Sequence, residues 1–246
     1  MLSVHGLQAS YGPSHVLFDV ELQIGEGQVV TLLGRNGMGK TTVVSQLMGN
    51  LAPDAGEIRL RGEDISGLPT ADRVARGVAR TFQITQLLLE YTALDNVALA
   101  VQARLGHSFR FWADARRDEE LRAPARRYLA QVGLQHRSEI RVADLSHGEH
   151  KQLELAVALA TEPRLLLLDE PMAGLGAAES RQMVEALLGL KGRLTTLLIE
   201  HDMDAVFALA DRVSVLVYGR LIASGTGPEI QADERVRVAY LGEGDA

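Results

Sequence analysis

The sequence predicts an α/β fold, with a parallel central sheet, an N-terminal antiparallel β-subdomain ahead of it, and an α-helical subdomain inserted within it. Three observations predict this. The runs Val29–Leu33 and 165–168 are apolar on both faces, as central parallel strands covered by helices must be. Residues 17–24 alternate in period two and are broken by Gly25 and Gly27, as in antiparallel strands and hairpins. Between 87 and 160 the apolar residues recur instead at helical spacing.

Taken in order, LSVHGLQASYG, HVLFDVELQIGEG, QVVTLLG and DAGEIRLRGEDI supply short β-rich pieces separated by turn residues. Thr92 can then cap TALDNVALAVQARL, whose Val97, Val101 and Leu105 recur every four residues, and Leu121, Tyr128, Leu129 and Val132 form a second stripe. Strand signals return at 165–168, Thr195–Ile199 and 213–217, with a helix-like segment between each pair. The expected organisation is one domain over 1–246, with 1–86 and 161–246 as core and β-subdomain, and 87–160 as the helical insertion. No internal repeat or low-complexity linker interrupts it.

The net charge of −7 argues against a general nucleic-acid binder, because affinity for a phosphate backbone needs clustered Lys and Arg. Arg116, Arg117, Arg122, Arg126 and Arg127 do gather, but Asp114, Asp118, Glu119 and Glu120 are interleaved with them, which reads as a solvated helix face. With no cysteine there is neither a disulfide framework nor a thiolate metal site. No apolar run approaches the roughly 18 residues of a membrane span. The start, MLSVHGLQASYG, lacks the basic and continuously apolar parts of a signal peptide.

Directly after the VVTLL strand comes GRNGMGKTT (34–42), a match to the P-loop pattern G-x-x-x-x-G-K-[ST]. Gly34, Gly37 and Gly39 let the backbone bend so that its N–H groups, with those around Asn36 and Thr42, point at phosphate oxygens. Lys40, one of only three lysines in the chain, supplies a point charge, and Thr41 offers a hydroxyl to Mg²⁺. LLLLDEP brings the complement at a strand end: Asp169 to hold the hydration shell of the metal, Glu170 to polarise an attacking water. The predicted ligands are therefore a nucleoside triphosphate and Mg²⁺.

Five elements in a fixed order carry a family resemblance: Tyr11 ahead of the P-loop, Gln83 in RTFQ, LSHGE (145–149), LLLLDEP, and His201 in LLIEHDMD. Over essentially its whole length the chain resembles the ATP-binding subunit of an ATP-binding cassette (ABC) transporter. That resemblance implies a P-loop NTPase (RecA-like) core and ATP as the nucleotide. It implies that Tyr11 stacks on adenine, that Gln83 senses the γ-phosphate, touches the metal and meets the membrane partner, and that His201 is the switch histidine on the γ-phosphate. It also implies that Ser146, His147, Gly148 and Glu149 form the signature that contacts the ATP of a facing subunit. Read without the resemblance, Tyr11 is a turn aromatic, Gln83 a strand cap and His201 a strand-end core histidine.

GVARTFQITQLLLEYTALDNVALA, SFRFWADARRD, EHDM and IASGTGPEIQADERVRVAYLGE look like the importers of branched-chain amino acids, amides and urea. The ATPase of lipopolysaccharide export has a similar tail and is the alternative, with a soluble non-transport ABC protein behind it. The implied partners are a second ATPase subunit, identical or paralogous, two membrane permease subunits and, indirectly, a periplasmic binding protein. The implied place is the cytoplasmic face of a bacterial inner membrane. Gly176, in MAGLG, stands where the wider family usually has an acid or amide.

The HGEH at 147–150 has the spacing of a metal-binding histidine pair. Ser146 and Glu149 nevertheless form S-x-x-E just before the apolar positions Leu153, Ala156, Val157 and Ala160, which is a capping box at a helix start. The positive end of a helix favours an anion over a metal, so a phosphate clamp is the expected role.

Overall fold

Residues 1–81, 87–106 and 118–241 are described by a computed structural model of the chain. Gln83 and most of the SFRFWADARRD stretch, including Asp114, Arg116 and Arg117, lie outside the described residues. The chain falls into two compact units: Met1–Val78 with Leu165–Glu170 and Lys191–Ala246, and Ala79–Arg164 with Pro171–Leu190.

In the first unit, β1 (Leu2–Tyr11) and β2 (Ser14–Ile24) pair antiparallel with Leu2 opposite Ile24 and Val4 opposite Leu22. β3 (Val29–Leu33) leads into α1 (Lys40–Met48), after which β4 (Ala55–Leu60) and β5 (Glu63–Asp64) complete a four-stranded sheet of order β2-β1-β4-β5. Alternation puts Leu2, Val4, Val20, Leu22, Ile24, Ile58 and Leu60 on its buried face. α2 (Thr70–Ala75) and β6 (Val78–Arg80) follow, and β6 runs across the unit boundary.

The chain returns to the first unit with β7 (Leu165–Asp169), then β8 (Thr195–Ile199), α7 (Met203–Leu209), β9 (Arg212–Val217), β10 (Arg220–Gly225), α8 (Gly227–Ala232) and α9 (Glu234–Leu241). Together these strands form a sheet of order β10-β9-β3-β8-β7-β6. β3 lies parallel between β8 and β9, and β7 is parallel to β8, so every residue of β3, β7 and β8 is buried. The continuous apolar runs are the direct consequence.

Val30, Leu32, Leu165, Leu167, Leu197 and Ile199 share one core with the buried faces of β1, β2 and β4 and with Val43, Val44, Leu47 and Met48 of α1. Leu33, Val213 and Val215 join a second cluster with Val206, Ile230 and Val236 from the C-terminal helices.

The second unit holds α3 (Ala93–Leu105), α4 (Glu119–Gln131), α5 (His147–Ala160) and α6 (Ala177–Leu188). Against the helical stretch expected at 87–160, it begins at Ala79, continues to Arg164 and also takes in Pro171–Leu190. Thr92 caps α3 through a reciprocal box, its Oγ1 accepting from Asp95 N at 3.0 Å while its own N–H donates to Asp95 Oδ2. Val97 and Val101 are buried as their spacing predicts, but Leu105 at the last turn is exposed. Leu121, Leu129 and Val132 are buried on the second stripe.

The basic cluster is divided rather than uniformly solvated. Arg126 is exposed and pairs with Glu119, whereas Arg122 is only 8% exposed, with Nη1 donating to Asp95 at 3.0 Å and Nη2 3.5 Å from Glu139. Arg122 follows Leu121 onto the buried side of α4, and a guanidinium can go there because a carboxylate on α3 meets it. Burial pushes the Asp95 carboxyl up, but the hydrogen bonds from Arg122 and Thr92 outweigh it and hold it below its ordinary value.

Arg73 on α2 is 0% exposed, and among the described residues no side-chain acid is a hydrogen-bond partner of it. Its guanidinium instead donates to four carbonyls: Gln46 and Leu47 in the last turn of α1, and Ser66 and Leu68 in the approach to α2. A cation is favourable at the negative end of a helix, where the last carbonyls lack their usual i+4 donors, and there the guanidinium supplements the Gly49 cap, whose N–H also donates to the Gln46 carbonyl at 3.1 Å.

Two predictions follow from these buried charges. Arg73→Met removes the guanidinium hydrogen bonds to the carbonyls of Gln46, Leu47, Ser66 and Leu68 and should cost about 3 kcal/mol of stability, read from the midpoint and slope of urea unfolding. Asp95→Asn should lower the midpoint at neutral pH. Because the folded carboxyl titrates below its ordinary value, its contribution is present above pH 3.8 and is lost as pH falls through the folded value, so the difference from the parent chain should close there.

Candidate nucleotide site

The glycine-rich loop connects β3 to α1. Gly37 and Gly39 have φ of 81° and 102°, a region that L side chains avoid. At Gly39 a Cβ would also lie 2.8 Å from Leu17 Cδ2 in β2, a contact the leucine would have to relieve, so it is the left-handed turn that calls for glycine. The loop is braced from the β9–β10 turn, where Gly219 N–H donates to the Met38 carbonyl at 3.0 Å and Tyr218 N–H points at Met38 Sδ.

α1 has no side-chain cap and no acid in its first turn. By contrast α3, α4, α5 and α7 are capped by Thr92, Asp118, Ser146 and Asp202. The first N–H groups of α1 thus keep their positive potential for an incoming anion.

Lys40 opens this helix at 6% exposure, its Nζ donating to the carbonyls of Gly34 and Arg35. Burial pushes its pKa down, and Glu170, Asp169 and Glu200 pull it back up without cancelling the shift. Thr41 is exposed beside it, Thr42 is buried, and Asn36 is exposed in the loop. A phosphate chain fits this cradle, since it accepts from N–H groups and matches the ammonium.

Those three carboxylates stand at the ends of β7 and β8. Asp169 is the last, buried residue of β7. Glu170 follows with its N–H donating to the Ile199 carbonyl at 2.9 Å and a φ of 48°. For a side chain of this size that conformation costs roughly 1–3 kcal/mol, a strain found most often at functional sites. Nδ1 of His201 lies 3.8 Å from Glu170 Oε1 and 3.9 Å from Glu200 Oε2, and its ring is 60% exposed. Glu200 escaped the sequence reading, because one acid beside a strand gives no local signal of burial.

Tyr11 is exposed at the end of β1, opposite Ser14. The adjoining part of β2, at Val16 and Leu17, packs against Gly39. An unburied ring at this strand end has the chemistry of a stacking platform. Gln83 lies outside the described residues.

In the second unit, Ser146 caps α5 as S-x-x-E predicts. Glu149 N–H donates to Ser146 Oγ at 3.2 Å, and Ser146 N–H donates to Glu149 Oε2 at 2.8 Å. Glu149 also accepts from Arg137 Nε at 2.7 Å. Burial raises the Glu149 carboxyl, and the bonds from Ser146 and Arg137 override this to leave it below its ordinary value.

The two histidines part company. His150 Nε2 is tied to the Val142 carbonyl at 2.7 Å, while His147 is exposed and its Nε2 lies only 3.1 Å from where a Gly174 Cβ would sit. Gly148 is covered by Glu179: a Cβ there would fall 2.4 Å from Glu179 Oε1. Oε2 of Glu179 accepts from Gly176 N–H at 3.0 Å, so Gly176 opens α6 without a side chain of its own. These contacts explain why 171–190 belongs to the same unit as α5, and sequence spacing gave no hint of them. No group of three His, Asp or Glu side chains suited to a metal ion occurs among the described residues.

Comparison with known proteins identifies the family. The ABC transporter family profile matches residues 17–173, and a profile described as branched-chain amino acid ATP-binding cassette transporter matches 220–246. The high-affinity branched-chain amino acid transport ATP-binding protein BraF of Pseudomonas aeruginosa is 37% identical, over 99% of this chain and 98% of its own length. The lipopolysaccharide export system ATP-binding protein LptB of Haemophilus influenzae is 30% identical over the same shares. Among solved structures, the ADP conformation of MJ1267, an ATP-binding cassette of an ABC transporter, superposes with a TM-score of 0.86 at 28% identity, covering 99% of both chains. With the P-loop cradle, the strand-end carboxylates and the self-capped LSHGE helix all in place, the chain belongs to the ABC transporter family of ATP-binding cassettes and is an ATPase.

Proposed function

We propose that this ATPase energises import of branched-chain amino acids or related amides and urea, working at the cytoplasmic face of a bacterial inner membrane. The observation that carries the substrate class is the C-terminal match over 220–246, whose described part forms β10, α8 and α9, supported by the higher identity to BraF than to the lipopolysaccharide exporter. No helix among the described residues is long and apolar enough to cross a membrane. The proposed assembly has a second cassette, identical or paralogous, two permease subunits and a periplasmic binding protein that delivers substrate.

In the proposed cycle, two cassettes close on two ATP molecules, each pairing one chain's P-loop with the other's signature. The N–H groups of 34–42 and the ammonium of Lys40 hold the phosphates, and Tyr11 stacks on the adenine. Ser146, His147 and Gly148 meet the γ-phosphate of the facing chain, while Glu149 holds the signature helix start in shape. Binding favours the closed state because this contact exists only there.

Glu170 polarises the attacking water, and His201 hydrogen-bonds the γ-phosphate. The hard oxygen donors Asp169 and Thr41, with Gln83, suit Mg²⁺, which neutralises charge on the phosphate oxygens. Loss of the γ-phosphate then removes the bridge and the dimer reopens.

Lys40→Ala should weaken ATP binding at least tenfold by equilibrium titration, and an unchanged affinity would contradict the cradle. Glu170→Gln should bind ATP normally, lose on the order of 100-fold in hydrolysis, and elute as a stable dimer with MgATP. Normal turnover, or a chain that stays monomeric with nucleotide, would remove Glu170 from its role. Co-expression with the neighbouring transporter genes, followed by a thermal-shift screen of the binding protein against amino acids, amides and urea, tests the substrate class. A response to none of these would overturn it.

A further inference from the structure

β8 ends at Ile199, and the next side chain turns inward: Glu200 is 0% exposed. Its Oε2 accepts from the backbone N–H of His201 at 3.0 Å and, more weakly, from that of Asp202 at 3.4 Å. Asp202 in turn caps α7, its Oδ1 taking the N–H groups of Asp204 and Ala205. The turn that carries His201 is thereby held on one side by a buried acid and on the other by a helix cap.

These two hydrogen bonds do not by themselves call for an acid. A glutamine oxygen could accept the same two N–H groups without the several kcal/mol that desolvating a carboxylate costs. A carboxylate is warranted where cationic or strongly donating groups face it, and two do. Lys40 lies within its electrostatic reach, and Nδ1 of His201 lies 3.9 Å from its Oε2. Glu170 Oε1 stands at a similar distance from the same ring nitrogen, so both acids are on the Nδ1 edge. With that edge facing two acids, the Nε2 edge of an otherwise exposed imidazole is the one left for a ligand.

We propose that Glu200 is a positioning residue for His201: its buried carboxylate fixes the turn and draws the Nδ1 edge of the ring inward, so that the Nε2 edge is presented to the γ-phosphate. This rests on the reading of His201 as the γ-phosphate contact. Glu200 itself touches neither nucleotide nor water in this scheme. Its effect is felt in turnover rather than in nucleotide affinity.

The test is steady-state ATPase kinetics of the full chain carrying Glu200→Gln, His201→Ala, or both, with thermal unfolding followed on each. Glu200→Gln should lower kcat by about tenfold while KM for ATP stays within about twofold and the unfolding midpoint stays near that of the parent chain. In the His201→Ala background the same change should cost less than about twofold, because a residue acting through His201 has nothing left to act on. Glu200→Asp keeps the charge and should retain more turnover than the glutamine variant. Should the glutamine chain not fold, the aspartate variant carries the same comparison with and without His201. Full activity of Glu200→Gln, or an undiminished loss in the His201→Ala background, overturns the inference alone. Normal turnover of His201→Ala by itself removes the reading of His201, and this inference with it.

Discussion

To keep the Lys40 ammonium available to a phosphate while it is almost fully buried, the chain has to surround it with groups of opposite polarity, and the first unit is organised to do this. Carbonyls of Gly34 and Arg35 take its hydrogens, and Asp169, Glu170 and Glu200 act on it from neighbouring strand ends. Those strands can deliver their acids to one place only because β3, β7 and β8 run parallel, which brings their C-terminal ends to the same edge of the sheet. Parallel pairing in turn demands cover on both faces, and so the apolar runs, the crossover helices and the site are consequences of one arrangement.

Helix termini are used in two different ways. α1 begins on Gly39 with no side chain to quench its N–H groups, and it is held at the opposite end by Arg73. The end facing the ligand is left to the ligand, and the end facing the core is satisfied internally. α5 closes part of its own N-terminus with Ser146 and Glu149, and Arg137 locks the glutamate in turn. Gly148 then lies under Glu179, which also takes the N–H of Gly176, so the signature loop and the start of α6 share one carboxylate. Gly176 therefore contributes its backbone to this unit, where an acid or amide would contribute a side chain as well.

What could be read in the sequence is what depends on residues close together in the chain. The P-loop, the capping boxes at Thr92 and Ser146, and the apolar runs of β3, β7 and β8 are local patterns with local causes, and each appears where its spacing places it. Arg122, Arg73, Glu179 and Glu200 are different. Each is a charged residue whose partner is distant in sequence or is backbone, so composition assigns it to solvent by default. Arg122 illustrates the error: interleaved charges suggested a wet face, but the partner that brings it inside, Asp95, lies 27 positions away on α3. Glu200 lies within LLIEHDMD, but a single acid at the end of an apolar strand carries no local sign that it is buried.

The segment that most narrows the family is also part of the structural support of the catalytic strand. Residues 220–246 match the branched-chain profile, and within them Ile230 and Val236 pack into one cluster with Val213, Val215 and Leu33. Leu33 is the last residue of β3, directly before Gly34 of the phosphate loop. Val206 of α7, five residues beyond His201, joins the same cluster. An apolar interior transmits changes in volume to its neighbours, because it is close-packed. The C-terminal helices are thus bonded by burial to the strand that leads into the P-loop and to the helix that follows His201, and subfamily differences in this tail can adjust both without altering any residue of either motif.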